Sequence, residues 1–378
     1  MIEIRPSAQP ATLPVPSVAR PERKLRREKP ESGESEIGEP ERTGRSMTRS
    51  PGGPSQRTAS PSGRSQALTK TRGTRLQDLN RHDETRRRRN EARDMAFVRA
   101  LYDDLYLLGI FVGDLATIEK YVYNKLGFSA PGYLSKPIPI TEIAPLINGA
   151  STETYKVLSQ LNVLEKMDMW DALAIGDYIA FTNARYPGIR TTQEQRQRRL
   201  IVNVVGQQSA IKIVRALIPL FNDSTTERYF KEVKVFLSTE ALPEDEVKND
   251  KLVVYYDVAP VREDAADDIG DQLVAMIYST IEHGDVDETI TPFYSELIPA
   301  ISWAEDPMDF VPAISELSFT QSRAKAIALA IRTAETRRRT TGATIDSAED
   351  LMTLIRMAFE IFGIHPALPH RHDPSTAV

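Results

Sequence analysis

The 378-residue chain contains no cysteine, which excludes disulfides, thiolate metal centres and cysteine nucleophiles together. It has no apolar run of about 18 residues or more, so no segment is expected to cross a membrane as a helix. The opening MIEIRPSAQP lacks the apolar core of a secretory signal. The glycine spacings that cradle phosphates, GxGxxG and GxxxxGK[ST], are absent. So are the paired histidines of HExxH and the nucleophile turn GxSxG. Histidine is scarce, with five in the chain. Two of them, His370 and His372 in PHRHD, could share a metal with Asp373, but a terminal tail offers no outer shell to hold that geometry. These absences predict a protein with no catalytic residues, no cofactor and no metal.

What the chain has is unevenly placed charge. A net charge of -5 conceals a basic beginning and an acidic remainder. Residues 1–93 hold 21 Lys/Arg against 12 Asp/Glu, and the other 285 residues hold 27 against 41. Residues 1–93 also carry 10 of the 25 prolines and few large apolar side chains. Such a segment buries too little surface to offset the entropy of ordering it, so it is expected to be a disordered arm. The excess charge lies in residues 45–93, ending in RHDETRRRRNEARD.

The body is expected to start near Asp94 with a helical stripe of Phe97, Leu101, Leu105 and Leu108. A helix follows from Leu115, and Ser151 can cap another through about Lys166. In LIVNVV, Leu200–Val205, strand and buried helix compete, with helix favoured after Gly206. Ser224 and Glu227 have the spacing of a capping box. KLVVYYDV, Lys251–Val258, is the best strand candidate. Leu273–Ile281, Ser322–Arg339 and Ala348–Phe362 read as helices, and proline breaks TPFYSELIPAISWAEDP into short pieces. The expected fold class is mainly α: a helical, two-lobed body with minor β behind a disordered basic arm. The expected divisions are 1–93 (arm), 94–222 and 223–363 (lobes) and 364–378 (flexible tail).

Three basic clusters could meet a polyanion. The arm ends in Arg86, Arg87, Arg88, Arg89 and Arg93. RYPGIRTTQEQRQRRL supplies Arg185, Arg190, Arg196, Arg198 and Arg199, with Tyr186 able to stack on a base. SRAKAIALAIRTAETRRRTTG places Lys325, Arg332 and Arg339 seven apart on one helix face, with Arg337 and Arg338 beside them. Solvated surface charge and attraction to a helix C-terminus account for the same residues without a ligand. Phosphate contacts from such clusters carry no sequence readout, so packaging of RNA is the expected use. RKLRREK, residues 23–29, and the Arg86–Arg89 run also suit a nuclear address.

A basic Arg/Ser/Pro arm followed by a cysteine-free helical body resembles, in layout, the coat and nucleocapsid proteins of RNA viruses. The nearest types are negative-strand nucleoproteins and partitivirus-like capsid proteins. The resemblance implies self-assembly into homo-oligomers, RNA as partner, no membrane, and residence in the virion and host cytoplasm with nuclear import. The alternative is a cellular or secreted-effector interaction protein, with the arm as a targeting segment and the body as a helical docking module.

Overall fold

FKEVKVFL, Phe230–Leu237, alternates apolar and charged residues only over Val233–Val235, with two adjacent charges before and an apolar pair after. In the computed structural model it is a strand, and it sits inside an antiparallel sheet of seven. The structure describes residues 84–107, 114–127, 132–188, 196–242, 250–258, 267–307 and 317–373. All lie in the compact unit Ser60–Val378. The strands are β1 Tyr155–Ser159, β2 Asp177–Asn183, β3 Arg196–Val202, β4 Phe230–Leu237, β5 Leu252–Val258, β6 Ser295–Ile298 and β7 Ile301–Glu305. Their order across the sheet is β1-β2-β4-β5-β3-β7-β6, so β1 and β6 are its edges.

Helices cover the sheet. The first face packs on α3 (Ile140–Asn148), α6 (Gln207–Leu217) and α7 (Asp268–Thr280), with Ile179, Phe181, Val233, Val254, Leu200 and Trp303 in the shared core. The second face contributes Val253, Ile201 and Ala304 to another core. That core is closed by α1 (Glu84–Tyr102), α2 (Leu115–Gly127), α8 (Phe319–Thr341) and α9 (Ala348–Ile361). Two short helices, α4 (Gln160–Glu165) and α5 (Met169–Ile175), link β1 to β2.

This architecture replaces the mainly α, two-lobed body expected from the sequence. Among the described residues 51% are helical and 19% are in strands, and the strands form one continuous sheet. Strand β3, before the expected division at 222/223, pairs with β5 and β7 beyond it. The physical reason is burial on both faces: a strand such as β7, ISWAE, buried at every position, has little period-two signal to separate it from a buried helix. LIVNVV divides, with Leu200–Val202 in β3 and the helix beginning at Gln207. The helix expected from Ser151 begins as strand β1, and Ser159 caps α4. Ser224–Glu227 is turn rather than helix start. The proline-broken TPFYSELIPAISWAEDP holds the β6–β7 hairpin, turned at Pro299-Ala300 with Ala300 at φ 67°.

Both ends of the body extend further than expected. Residues 84–93 belong to α1, whose polar residues grip the edge strand: Asp94 accepts from the Phe293 amide at 2.7 Å, and Asn90 donates to Ser295 Oγ at 3.3 Å. Residues 1–83, the rest of the expected arm, lie outside the described residues. At the other end, Ile364–Asp373 lies packed, with His370 and His372 buried. The Glu305 amide donates to the His370 carbonyl at 2.8 Å, and the His372 amide to Glu305 Oε2 at 2.9 Å.

Candidate functional site

The basic residues singled out in the sequence are mostly engaged within the fold. On α1, Arg87 bridges Glu84 and Glu91, each at 2.8 Å, and Arg88 reaches Glu84 at 2.9 Å. Hydrogen bonds from these two arginines hold the Glu84 carboxyl down at about 2. Arg89 lies 3.6 Å from Glu296, Arg86 is half-buried, and Arg93 donates to Asn90 and to the Tyr294 carbonyl. On the C-terminal turns of α8, Arg338 and Arg339 flank Glu335 at 3.2 and 3.7 Å. Arg337 is exposed, Arg332 is half-buried, and Lys325 is half-buried with its amine 5.9 Å from the Phe362 ring centre.

The second cluster is divided by strand alternation. Arg185 is exposed and pairs with Glu227 at 3.2 Å, Arg190 lies outside the described residues, and Arg196 opens β3. Arg198 and Arg199, adjacent on β3, point to opposite faces of the sheet, and both are buried. Arg198 bonds Asp267 at 2.6 Å, approaches Glu305 at 3.8 Å and stacks 4.6 Å from the Trp303 ring. Burial opposes its charge, but Asp267 and Glu305 outweigh burial and hold its proton more tightly than usual. Arg199 pairs with Asp306 beneath the helices of the second face.

Arg323 on α8 is buried too, and burial lowers it to about 9. It donates to the Pro369 carbonyl at 2.7 Å and to Ser322 Oγ at 2.9 Å, lies 3.3 Å from His372 Nε2, and stacks 3.8 Å over Phe319. These arginines fasten β3, α7, α8 and the C-terminal segment together. Among the described residues no group of three or more His, Asp or Glu is arranged to hold a metal.

The second face of the sheet is only partly covered, and its register locates the boundary. One row across the face runs Leu158, Ala180, Lys234, Val253, Ile201 and Ser302. Val253 and Ile201 are buried under the helices, whereas Lys234 and Ala180 are half-buried and Leu158 is exposed. Lys156, Tyr178, Thr182 and Glu232 occupy the same uncovered half, and none is buried.

A groove of about 350 Å³ lies over this half, lined by Leu158, Val163, Leu164, Tyr178, Ala180 and Lys234 among others. Lys234 donates to Gln160 Oε1 at 3.1 Å and sits 4.4 Å above the Tyr178 ring. The Tyr178 hydroxyl donates to Asp250 at 2.9 Å, and Thr182 to Glu232 at 3.2 Å. Burial lowers the Lys234 ammonium pKa, against the pull of Asp250 and Glu232. The small Ala180, directly opposite Lys234, leaves the floor open.

One wall of the groove is α4, and its placement is built from two polar residues. Asp177 Oδ2 accepts from the Ser159 hydroxyl and from the Leu161 amide at 2.9 Å, while Ser159 accepts from the Asn162 amide at 3.1 Å. Lys166, at φ 58°, ends the helix. None of the six residues of α4 is buried; Val163 is 51% exposed and Leu164 68%. Packing among the described residues leaves these side chains uncovered, whereas a helix normally sets its apolar stripe against a core. Sequence reasoning missed this groove. The available signals were the charged positions of FKEVKVFL and the apolar pair of QLNVLE.

The HopA1 effector protein family matches residues 171–371. None of the curated proteins matches. Among solved structures, the effector protein from Pseudomonas syringae pv. syringae strain 61 shares the fold at a TM-score of 0.51 and 13% identity, over 75% of this chain and 98% of that one. The effector protein from Pseudomonas syringae pv. tomato strain DC3000 aligns at a TM-score of 0.48 and 15% identity, over 74% of this chain and 99% of that one. The family match overturns the resemblance to RNA-virus coat and nucleocapsid proteins, and with it the expected virion location and genome packaging. Composition and layout carried that resemblance, and neither distinguishes a capsid arm from the leading segment of an effector.

Proposed function

Since the chain belongs to the HopA1 effector protein family, we propose that it acts inside a host cell by docking a host protein on the β1–α4–α5 face, without catalysis of its own. The observation that supports this reading is the distribution of exposed apolar side chains. Ten large hydrophobic residues are exposed among the described residues, and five of them fall between positions 158 and 175: Leu158, Val163, Leu164, Trp170 and Ile175. Scattered exposed hydrophobics are ordinary, but three of these, Leu158, Val163 and Leu164, line one groove, which supports reading it as an interaction surface. Of the alternative from the sequence, the family match supports the secreted effector, while the docking surface belongs to this proposal.

The test places a photo-crosslinking residue at Leu164 and, as control, at Leu115, which is also exposed but lies on α2. In host cells, position 164 is expected to give a discrete protein adduct and position 115 none. Leu164→Asp should abolish the host response while leaving the thermal midpoint within a degree or two, because the side chain is solvent-facing. A full host response from Leu164→Asp, with no adduct at 164, would refute the proposal.

A further inference from the structure

Resting on that docking reading, we infer that the partner segment presents a carboxylate to Lys234, with an aliphatic neighbour seated against Leu158, Val163 and Leu164. The fully buried cations on and beside the sheet have their acids: Arg198 has Asp267 and Glu305, Arg199 has Asp306, and Lys251 has Asp287 at 3.8 Å. Lys234 forms no ion pair among the described residues. Among the described residues its hydrogen bond goes to a neutral amide, and a tyrosine ring lies beside it. An ammonium has three donors, so two are left unbonded among the described residues. The acids that influence it, Asp250 and Glu232, are bonded to the hydroxyls of Tyr178 and Thr182. A half-buried cation in this state gains from one incoming carboxylate, which restores the charge balance that burial has disturbed.

The surroundings narrow the ligand. The groove holds one lysine, and Glu232 also lines it. A polyanion such as nucleic acid or a phosphate cluster would meet Glu232 with like charge and gain only a single cation. One acidic side chain with aliphatic flanks suits both parts: the carboxylate at Lys234, the apolar atoms on Leu158, Val163 and Leu164. The distinctive chemistry is therefore an acidic-aliphatic peptide segment of the host partner.

Random dodecapeptides displayed on phage and selected on the full chain test this directly. Selection should enrich peptides with one Asp or Glu next to Leu, Ile, Val or Met. By fluorescence anisotropy, the wild type should bind the best such peptide roughly tenfold to a hundredfold more tightly than its Glu→Gln or Asp→Asn counterpart, the range for a charge-assisted hydrogen bond. Lys234→Met, which keeps the stem over Tyr178, should bind both peptides alike. Lys234→Arg should keep the preference, and a folded Lys234→Arg beside a failed Lys234→Met still decides the matter through Lys234→Gln. Leu164→Asp should lose both peptides. Enriched peptides without an acidic residue, or an acid preference that survives Lys234→Met, would overturn the carboxylate inference while leaving the docking face standing. Binding untouched by Leu164→Asp, or no enrichment at all, would overturn the docking face as well.

Discussion

Arg198→Met asks what the buried half of the second basic cluster is for. The guanidinium is 1% exposed and serves two carboxylates, Asp267 and Glu305, which are themselves buried. Methionine keeps most of the volume against Trp303 but leaves two acids without their cation. Removing one partner of a buried ion pair costs about 3–5 kcal/mol. Asp267 retains the Tyr256 hydroxyl at 2.7 Å and the Gly270 amide at 2.8 Å, so the lower end of that range is expected. In urea, far-UV circular dichroism and tryptophan fluorescence should give a lower midpoint with an unchanged slope. Adding Asp267→Asn should recover much of the loss, because the stranded charge is then gone. Retention on polyuridylate at low salt should be the same for Arg198→Met and wild type, since an inaccessible guanidinium meets no phosphate. A stability loss below about 1 kcal/mol, or weaker polyuridylate retention from a protein of unchanged stability, would refute the assignment.

Two further perturbations probe the joints of the fold. Burial raises the Asp94 carboxyl to about 7, so the folded chain holds that proton at pH values where the unfolded chain has released it. Stability from this group is therefore present below the unfolded value and drains as pH rises from about 4 to about 7, by about 4 kcal/mol in all. Asp94→Asn, whose amide oxygen can still accept from the Phe293 amide, should flatten that part of the urea-midpoint profile; equal slopes in the two proteins would disprove it. Gly176 adopts φ 83°, ψ 117° between α5 and β2, and an added Cβ would lie 3.2–3.3 Å from Leu242 and Phe236. Gly176→Ala should cost about 1–3 kcal/mol in chemical denaturation, and a neutral result would mean the turn is not held as described.

How much was legible in the sequence follows from how each signal arises. Helices α6, α7, α8 and α9 were readable because one face is apolar and their ends are marked: Ser347 caps α9 by accepting from Asp350, and Gly342 closes α8 at φ 72°. Strand β5 was readable from its β-branched and aromatic run, whereas β4, β6 and β7 were not. The burial pattern of β4 is interrupted by a bulge between Phe230 and Glu232, β7 is buried at every position, and β6 is only four residues long. The basic clusters were legible as charge but not as partnership. The acids that meet Arg198 and Arg199 lie about 70 to 110 positions away, and only the sheet brings them together. The groove was the least legible feature, since Lys234, Ala180 and Leu158 share a row through pairings that a single chain does not announce.

The register of that row also sets the proposed docking groove and the fastened region at opposite ends of one sheet face. From Val253 to Ser302 the face lies under α1, α2, α8 and α9, and the charges placed there are matched within the fold. From Lys234 to Leu158 the face is walled by α4, and Lys234 forms no ion pair among the described residues. The family match, residues 171–371, takes in Tyr178, Lys234 and the arginine network, while Leu158, Val163, Leu164 and Trp170 precede it. A groove whose floor belongs to the shared sheet and whose rim belongs to a short, unburied helix can change its rim without disturbing its floor. No residue of α4 is buried, so substitutions there should change the rim at little cost in stability. The same freedom is denied to β3, where Arg198 and Arg199 are each tied to an acid from elsewhere in the chain.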